Sequence, residues 1–533
     1  MSIEQTLGQY LPSHPKPDGL KFTYGTAGFR MKAVNLDYVN YTTGIIAALR
    51  SKFLQGQTVG VMITASHNPP EDNGVKVVDP LGSMLQTSWE AYATTLANST
   101  HEELLGNISK LVEDLGIDLS APASVVIARD SRESSERLSN ATIDGFKSVP
   151  NTKYQDFGLF TTPQLHYVTR TINDPAFGAT SEEGYYAKMA ESFKKIFALS
   201  GNSEKIDITI DAANGVGAPK IKELLATYLS EQITFNLVNG NYNSPQLLNF
   251  DCGADYVKTN QKLPKNVTPT PNKLYASFDG DADRLICYYI DPEFRLLDGD
   301  KLSTLIALFL QQLFKHIDSA KLKLDIGVVQ TAYANGSSTK YVEDVLKIPV
   351  RCTPTGVKHL HHEAENFDIG VYFEANGHGT VIFKPEAEQK IFEYKADPVN
   401  AEEVKSIQVL QEFSKLINQT VGDAISDLLA VLIIVHYLQL TPRDWNKCYN
   451  DLPNKLVKVI VPDRSVFKTT NAERTLVEPT GLQDKIDAEV AKYNHGRSFV
   501  RASGTEDAVR VYAEADTKDN VEALAKAVAD LVK

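Results

Sequence analysis

Three carboxylates, Asp279, Asp281 and Asp283, stand at alternate positions in the segment Asp279-Gly280-Asp281-Ala282-Asp283-Arg284. That alternation lets them converge on one side of an extended or tightly turned backbone. Hard oxygen ligands of this kind suit Mg²⁺, which keeps its other positions for water and a phosphate oxygen. A calcium loop of the EF-hand type needs glycine sixth and glutamate twelfth, and those positions hold Arg284 and Ile290. A solvated acidic turn is the simpler alternative, but apolar runs flank the triplet, Leu274 to Phe278 before and Leu285 to Ile290 after. Carboxylates crowded between buried strands repel one another unless a cation offsets the charge.

A second candidate is Ser66, in Thr64-Ala65-Ser66-His67-Asn68-Pro69-Pro70. Val59 to Ile63 reads as a short apolar strand, and the two prolines that follow can neither continue a helix nor donate to a sheet ladder. The serine is therefore expected to be exposed on a loop, where chemistry is usually placed. Alone, a Ser-His pair reads as a turn or a helix cap; the distant carboxylate triplet raises it to a candidate nucleophile, with His67 as a possible acid or base. Arg30 and Lys76 can supply positive charge beside it, although singly either reads as a surface charge. The third group is Arg501-Ala502-Ser503-Gly504-Thr505-Glu506 with Arg510 beyond. A guanidinium, two hydroxyls and backbone amides around a glycine can grip the oxygens of a phosphate. An ordinary hairpin joining Ser498-Phe499-Val500 to Val509-Arg510-Val511 is the alternative, and arginine on both stems favours phosphate.

Other motifs fall short. Gly215-Val216-Gly217 would begin a dinucleotide fingerprint, but Lys220 stands where the third glycine belongs. No GxxxxGK[ST] occurs. His359, His361, His362 and Glu363 lack the HExxH spacing and read as a partly exposed helical face.

The elements that must position these groups alternate between strand and helix, which indicates α/β architecture with mixed, mostly parallel sheets. Strands at Ser124 to Ala128, Ile206 to Ile210 and Leu324 to Gln330 each lead into a helix, at 134–146, 219–228 and 336–346. The last part differs, with a strand at Leu456 to Val461, a hairpin, and a final helix with Asp519 and Glu522 in capping-box spacing. The expected organisation is three similar α/β domains, 1–180, 181–297 and 298–445, and a smaller C-terminal α+β domain, 446–533, around a central cleft. A length of 533 residues, 42% hydrophobic and 23% charged, suits several soluble domains. The net charge of -13 without a basic cluster argues against nucleic acid. Four cysteines without a CxxC indicate neither a disulfide framework nor a zinc ribbon. No secretory signal is evident at the N-terminus, and the longest apolar run, Leu428 to Val435, reads as a buried helix too short for a bilayer. A cytoplasmic protein with no membrane partner is expected.

Taken together, the segments Tyr24 to Arg30, Thr64 to Pro80, Asp211 to Ala218, Cys252 to Thr259, Asp279 to Arg284, Thr353 to Leu360, Glu374 to Thr380 and Arg501 to Glu506 resemble the α-D-phosphohexomutase family over nearly the whole chain. Within it the loops are most similar to eukaryotic members that act on N-acetylglucosamine phosphates. The resemblance implies that Ser66 carries a phosphoryl group and that one Mg²⁺ is held by Ser66, Asp279, Asp281 and Asp283. It implies a 1,6-bisphosphate intermediate, which also serves as activator, between N-acetylglucosamine 6-phosphate and 1-phosphate, feeding UDP-N-acetylglucosamine synthesis. Arg30, Lys76 and Arg284 then stabilise transferring oxygens, and Arg501, Ser503, Gly504, Thr505 and Arg510 bind the phosphate that is not reacting. Glu374, Asn376 and Gly377 contact sugar hydroxyls, and Lys358 the substrate. Relatives acting on glucose or mannose read closer to Glu-x-Ser-Gly in that loop, and Ala375 and Asn376 depart from it. A monomer is expected. Three alternatives stay open: a glucose- or mannose-phosphate mutase, a phosphoserine-dependent phosphatase, and a non-catalytic phosphosugar sensor.

Overall fold

The computed structural model describes residues 2–25, 28–503 and 507–533. Three α/β domains with mixed sheets are followed by a smaller α+β domain, as expected from the alternation of elements. In the first, the aliphatic strand Thr58–Ile63 is buried along its whole length. It lies in a sheet ordered Phe29–Lys32, Asp72–Val78, Thr58–Ile63, Ala123–Arg129, Thr152–Leu159. Thr58–Ile63 runs parallel to Ala123–Arg129 and antiparallel to Asp72–Val78. Helices Asp37–Phe53, Ser135–Ser148 and Thr162–Asn173 cover it, which is why the central strands read as unbroken apolar runs.

The second and third sheets repeat the succession of directions through a different chain order. Ile233–Val238, Ile206–Asp211 and Tyr275–Phe278 run parallel, and Leu285–Ile290 returns antiparallel. Val350–Thr353, Ile326–Thr331 and Ile369–Phe373 run parallel, and Gly379–Phe383 returns antiparallel. The last domain has the antiparallel order Asn454–Ile460, Ala508–Glu514, Arg497–Ala502 and a separate hairpin of Lys468–Thr470 with Thr475–Glu478. Consequently the Ser66, Asp279 and Glu374 segments occupy the same kind of place, the turn of an antiparallel strand pair, and Arg501 lies near the end of one such strand, Arg497–Ala502. The final helix, Lys518–Leu531, is capped differently from expectation: the Thr517 side chain accepts from the Asn520 amide, and Glu522 pairs with Lys455. Thr517 precedes the helix in extended conformation, as an N-cap must, whereas Asp519 is already inside it.

The chain divides into two compact units, residues 1–296 with 412–437, and residues 297–411 with 438–533. The helix Ala424–Tyr437, which contains the apolar run, is buried on nearly every side within the first unit. Its neighbour there is the helix Glu182–Ser200, whose Tyr185 hydroxyl donates to Asp423 at 2.8 Å. No helix of the described residues is long and apolar enough to cross a membrane.

One buried histidine gives the first unit a pH signature. His14 stacks on Tyr41 and lies 2.6 Å from Asp37 Oδ1 through Nδ1 and 3.3 Å from Asp144 Oδ2 through Nε2. Burial lowers the imidazole pKa, but hydrogen bonds and charge from Asp37 and Asp144 outweigh it and leave the pKa raised above 6.5. A raised folded-state pKa gives stability that is full below the unfolded value and is lost as pH rises through the folded value. The melting temperature of His14→Gln should therefore fall furthest below the parent's near pH ~5.5, and the gap should narrow as pH rises toward ~8.5. A gap that stays constant across a pH series of melts would exclude the charged pair.

Candidate active site

The strand Thr58–Ile63 ends at Thr64, and the chain turns through Ser66 with φ of +50° before Pro69 and Pro70. Ser66 is not exposed, as expected of a loop serine, but only 1% accessible. Its burial has a cause in the second sheet: the turn between Tyr275–Phe278 and Leu285–Ile290 packs on it. The Ser66 hydroxyl donates to Asp279 Oδ2 at 2.5 Å. At Gly280 an added Cβ would lie 2.6 Å from the Ser66 carbonyl oxygen, so only glycine allows the two loops to meet. Backing this turn is the Asp211 to Ala218 loop, whose Val216 amide donates to the Gly280 carbonyl. The glycines at 215 and 217 thus serve close packing of two loops rather than a dinucleotide.

Asp279, Asp281 and Asp283 are all buried and offer ligand oxygens within 4.8 Å of one another, the one such group of three among the described residues. Asp279 Oδ1 accepts from the amides of Asp283 and Arg284. Asp281 Oδ2 accepts from the Thr162 hydroxyl at 2.6 Å, while its Oδ1 is buried without a hydrogen-bond partner. Burial, then the charge of Asp283, raises the pKa of both Asp279 and Asp281. Crowded, buried carboxylates with an oxygen left over are the donor set for a hard divalent cation, so the residues fit Mg²⁺. Lys76 Nζ lies 3.7 Å from Asp283 Oδ2, and Arg284 Nε 3.8 Å from Asp279 Oδ2. Arg30 donates to Asn68 Oδ1 at 3.3 Å, and burial followed by the nearby Arg284 lowers its pKa. The same surroundings act on His67: burial, then Arg284 and Arg30, push its pKa down to about 2, which favours the uncharged imidazole. The first unit therefore gathers Ser66, His67, Arg30, Lys76, the three aspartates and Arg284.

The remaining predicted residues lie in the second unit. Glu374, Asn376 and Gly377 form the turn between Ile369–Phe373 and Gly379–Phe383. Asn376 Nδ2 donates to Glu374 Oε2 at 3.2 Å, and the Gly377 amide to the Glu374 carbonyl at 2.9 Å. Lys358 is in the first turn of the helix Val357–Ala364, which also carries His359, His361, His362 and Glu363. His361 contacts the Tyr372 hydroxyl and His362 contacts Glu365, so these histidines belong to the helix and its surface. Arg501 and Arg510 are direct cross-strand partners. Arg501 Nε donates to Glu473 at 2.8 Å, and the Ser503 amide donates to the Ala508 carbonyl. Gly504 and Thr505 lie outside the described residues.

Family models match the chain in every domain. "Phosphoglucomutase/phosphomannomutase, alpha/beta/alpha domain I" matches residues 26–104 and 95–180, and the C-terminal domain of the same description matches 456–531. "Phosphoacetylglucosamine mutase AMG1, domain II" and "domain III" match 174–286 and 298–440. A Candida albicans protein named phosphoacetylglucosamine mutase is 77% identical, with 100% of each chain covered. The chain belongs to the phosphoacetylglucosamine mutase family. Among solved structures, an N-acetylglucosamine-phosphate mutase described as a member of the alpha-D-phosphohexomutase superfamily, in the substrate complex, aligns with a TM-score of 0.98 at 78% identity over 100% of both chains. An Aspergillus fumigatus N-acetylphosphoglucosamine mutase, 48% identical with TM-score 0.95 over 100% of this chain and 99% of that one, was solved in complex with GlcNAc-6P and magnesium.

Sequence reasoning missed the residues that hold the serine turn of this phosphoacetylglucosamine mutase family member in shape. Arg132, with its side chain fully buried, pairs with Asp130 at 3.0 Å and donates to the carbonyls of Ser66, Asn68, Pro69 and Asp72 at 2.6–3.0 Å. All five donors of its guanidinium are used. Asn249 Nδ2 adds donors to the Ser66 and Asn68 carbonyls, and Thr64 Oγ1 accepts from the Ser66 amide. Losing one partner of a buried ion pair costs about 3–5 kcal/mol, so this clamp is a large fraction of the loop's order. A signal was present: a charged Asp-x-Arg directly after an apolar parallel strand stands at the strand end, where α/β proteins place their sites.

Proposed function

We propose that this protein interconverts N-acetylglucosamine 6-phosphate and N-acetylglucosamine 1-phosphate through a phosphorylated Ser66 and a 1,6-bisphosphate. The observation that carries this is the Ser66 hydroxyl bonded at 2.5 Å to a carboxylate of the Asp279–Asp281–Asp283 group, in a chain of this family. The three carboxylates and Ser66 would hold one Mg²⁺, which when bound neutralises phosphoryl charge. In the first half-reaction the bond from Ser66 Oγ to phosphorus breaks as the free sugar hydroxyl bonds to phosphorus. The hydroxyl proton is relayed, through Lys76 or Arg30 in its uncharged form, to the departing Ser66 Oγ, while the other of the two, with Arg284, holds the equatorial oxygens. In the second, Ser66 Oγ takes the other phosphoryl group and the 1-phosphate leaves. His67 stands beside Ser66 as a candidate acid or base, with burial and the neighbouring Arg284 and Arg30 favouring its uncharged form. Arg501, Ser503 and Arg510, with Gly504 and Thr505, hold the phosphate that is not reacting, while Glu374, Asn376, Gly377 and Lys358 fix the sugar. Asn376 in place of serine offers an amide for polar contact with an acetamido group. The segments 1–180, 181–297, 298–445 and 446–533 are assigned respectively to the phosphoserine, metal, sugar and phosphate loops of a cytoplasmic monomer whose product supplies UDP-N-acetylglucosamine synthesis.

The test is a direct comparison of substrates. The phosphorylated protein is given each hexose 6-phosphate with Mg²⁺ and a trace of the matching bisphosphate, and 1-phosphate formation is followed. N-acetylglucosamine 6-phosphate should be converted fastest, by about tenfold or more, the discrimination that one well-recognised polar substituent allows. Equal rates with glucose 6-phosphate would overturn the assignment.

A further inference from the structure

Glu473 stands at the tip of the hairpin formed by Lys468–Thr470 and Thr475–Glu478. Asn471, Ala472 and Glu473 have φ of +54°, +54° and +66°, three left-handed residues in a row without a glycine. Such a run persists only where contacts at the tip over-determine it. Arg474 and Asn471 supply contacts within the hairpin, and the Glu473 carboxylate supplies those that reach beyond it. Its Oε2 accepts from the Thr355 amide at 2.9 Å and the Thr355 hydroxyl at 2.6 Å, and its Oε1 accepts from Arg501 Nε at 2.8 Å. Thr355 belongs to the loop that enters the Lys358 helix, and Arg501 is the first residue of the phosphate loop. The carboxylate thereby joins two loops, both assigned to the substrate, at one point.

The choice of Nε is informative. An arginine grips phosphate best through a pair of parallel N–H groups, and a partner on Nε leaves the two Nη groups outside that bond. The Tyr333 hydroxyl is a second hydrogen-bond partner of Arg501. The carboxylate also offsets the repulsion expected where Arg501 faces Arg510 across the strand pair. A long side chain ordered beforehand does not draw on binding energy to become ordered when its ligand arrives.

We propose that Glu473 is a positioning residue for the phosphate grip: it fixes the Arg501 guanidinium by its Nε edge and ties that orientation to Thr355. This rests on Arg501 being a phosphate ligand, and the test separates the two. Glu473→Ala, Glu473→Gln and Arg501→Ala are compared in steady-state kinetics, with inorganic phosphate as competitive inhibitor and a thermal melt of each. Glu473→Ala should raise both KM and the phosphate inhibition constant about three- to tenfold, the effect of freeing one rotamer-rich side chain, with kcat within about twofold. Glu473→Gln, whose amide oxygen still accepts from Nε, should recover most of the loss, and Glu473→Ser, too short to reach Nε, serves in place of the alanine variant if that one does not fold. If Arg501→Ala weakens phosphate and neither Glu473 variant does, or if either one tightens it, the positioning role is wrong and the phosphate grip stands. If Arg501→Ala leaves phosphate inhibition unchanged, the grip itself is wrong and the proposal falls with it. A lower melting temperature with unchanged constants in the Glu473 variants would assign the carboxylate to stability alone.

Discussion

Ser66→Ala lowers conversion of N-acetylglucosamine 6-phosphate by on the order of 10⁴-fold or more, the scale on which removal of a covalent nucleophile acts. The substitution deletes one oxygen, the atom that must accept and return the phosphoryl group. Nothing beside it replaces that hydroxyl: His67 is disfavoured as a cation by burial and the charges of Arg284 and Arg30, and the neighbouring carboxylates are crowded and repel one another. The fold should tolerate the change. Alanine fits the +50° backbone about as well as serine does, and the clamp from Arg132 and Asn249 grips carbonyls that remain. A coupled assay for the 1-phosphate, run with a thermal melt, separates lost chemistry from lost structure. Full turnover by a folded Ser66→Ala protein would sink the phosphoserine mechanism.

Removing divalent cations should stop turnover as completely, and Asp281→Asn shows why. Asp281 is the carboxylate with one oxygen held by Thr162 and the other without a partner. The amide can keep the first contact while losing the charge that suits a cation, so activity should drop by about 100-fold or more. Stability should move both ways. Without cations the variant should melt above the parent near pH 7, because the parent's three buried carboxylates repel. With Mg²⁺ at a hundred times its dissociation constant the parent should gain about 2.7 kcal/mol, and the variant much less. Melting curves with chelator and with graded Mg²⁺ measure both effects. A variant that keeps the parent's full Mg²⁺-dependent rise would remove Asp281 from the metal site.

The chemistry was easier to read in the sequence than the architecture that presents it. Asp279, Asp281 and Asp283 announce themselves because alternate charges between apolar strands have few benign explanations. The Ser66 segment was legible as a strand that stops, yet its burial was not, since burial comes from a turn more than two hundred residues away. The same limit hid Arg132: its value lies in four carbonyls of another loop, and a sequence records no carbonyl's direction. Strand-then-helix alternation revealed three α/β domains, but it drew attention to strands leading into helices. The reactive loops instead sit on the antiparallel return strands, which a reading tuned to parallel crossovers passes over. Glu473 was invisible for a further reason: an exposed-looking Asn-Ala-Glu-Arg turn gives no sign that its glutamate faces an arginine.

The helix Ala424–Tyr437 has a consequence for how the chain is made. It completes the first unit, and its Ala424 amide bonds at 3.0 Å to the carbonyl of Ala282, between two of the metal-binding aspartates. During synthesis, the serine turn and the aspartate turn leave the ribosome more than a hundred residues before the helix that braces them. The first unit thus waits, with an uncovered apolar face, while most of the third domain is translated. A nascent chain stalled before residue 424 holds every reactive side chain of that unit and not the wall behind them, which makes this interval the natural point for chaperone capture or degradation.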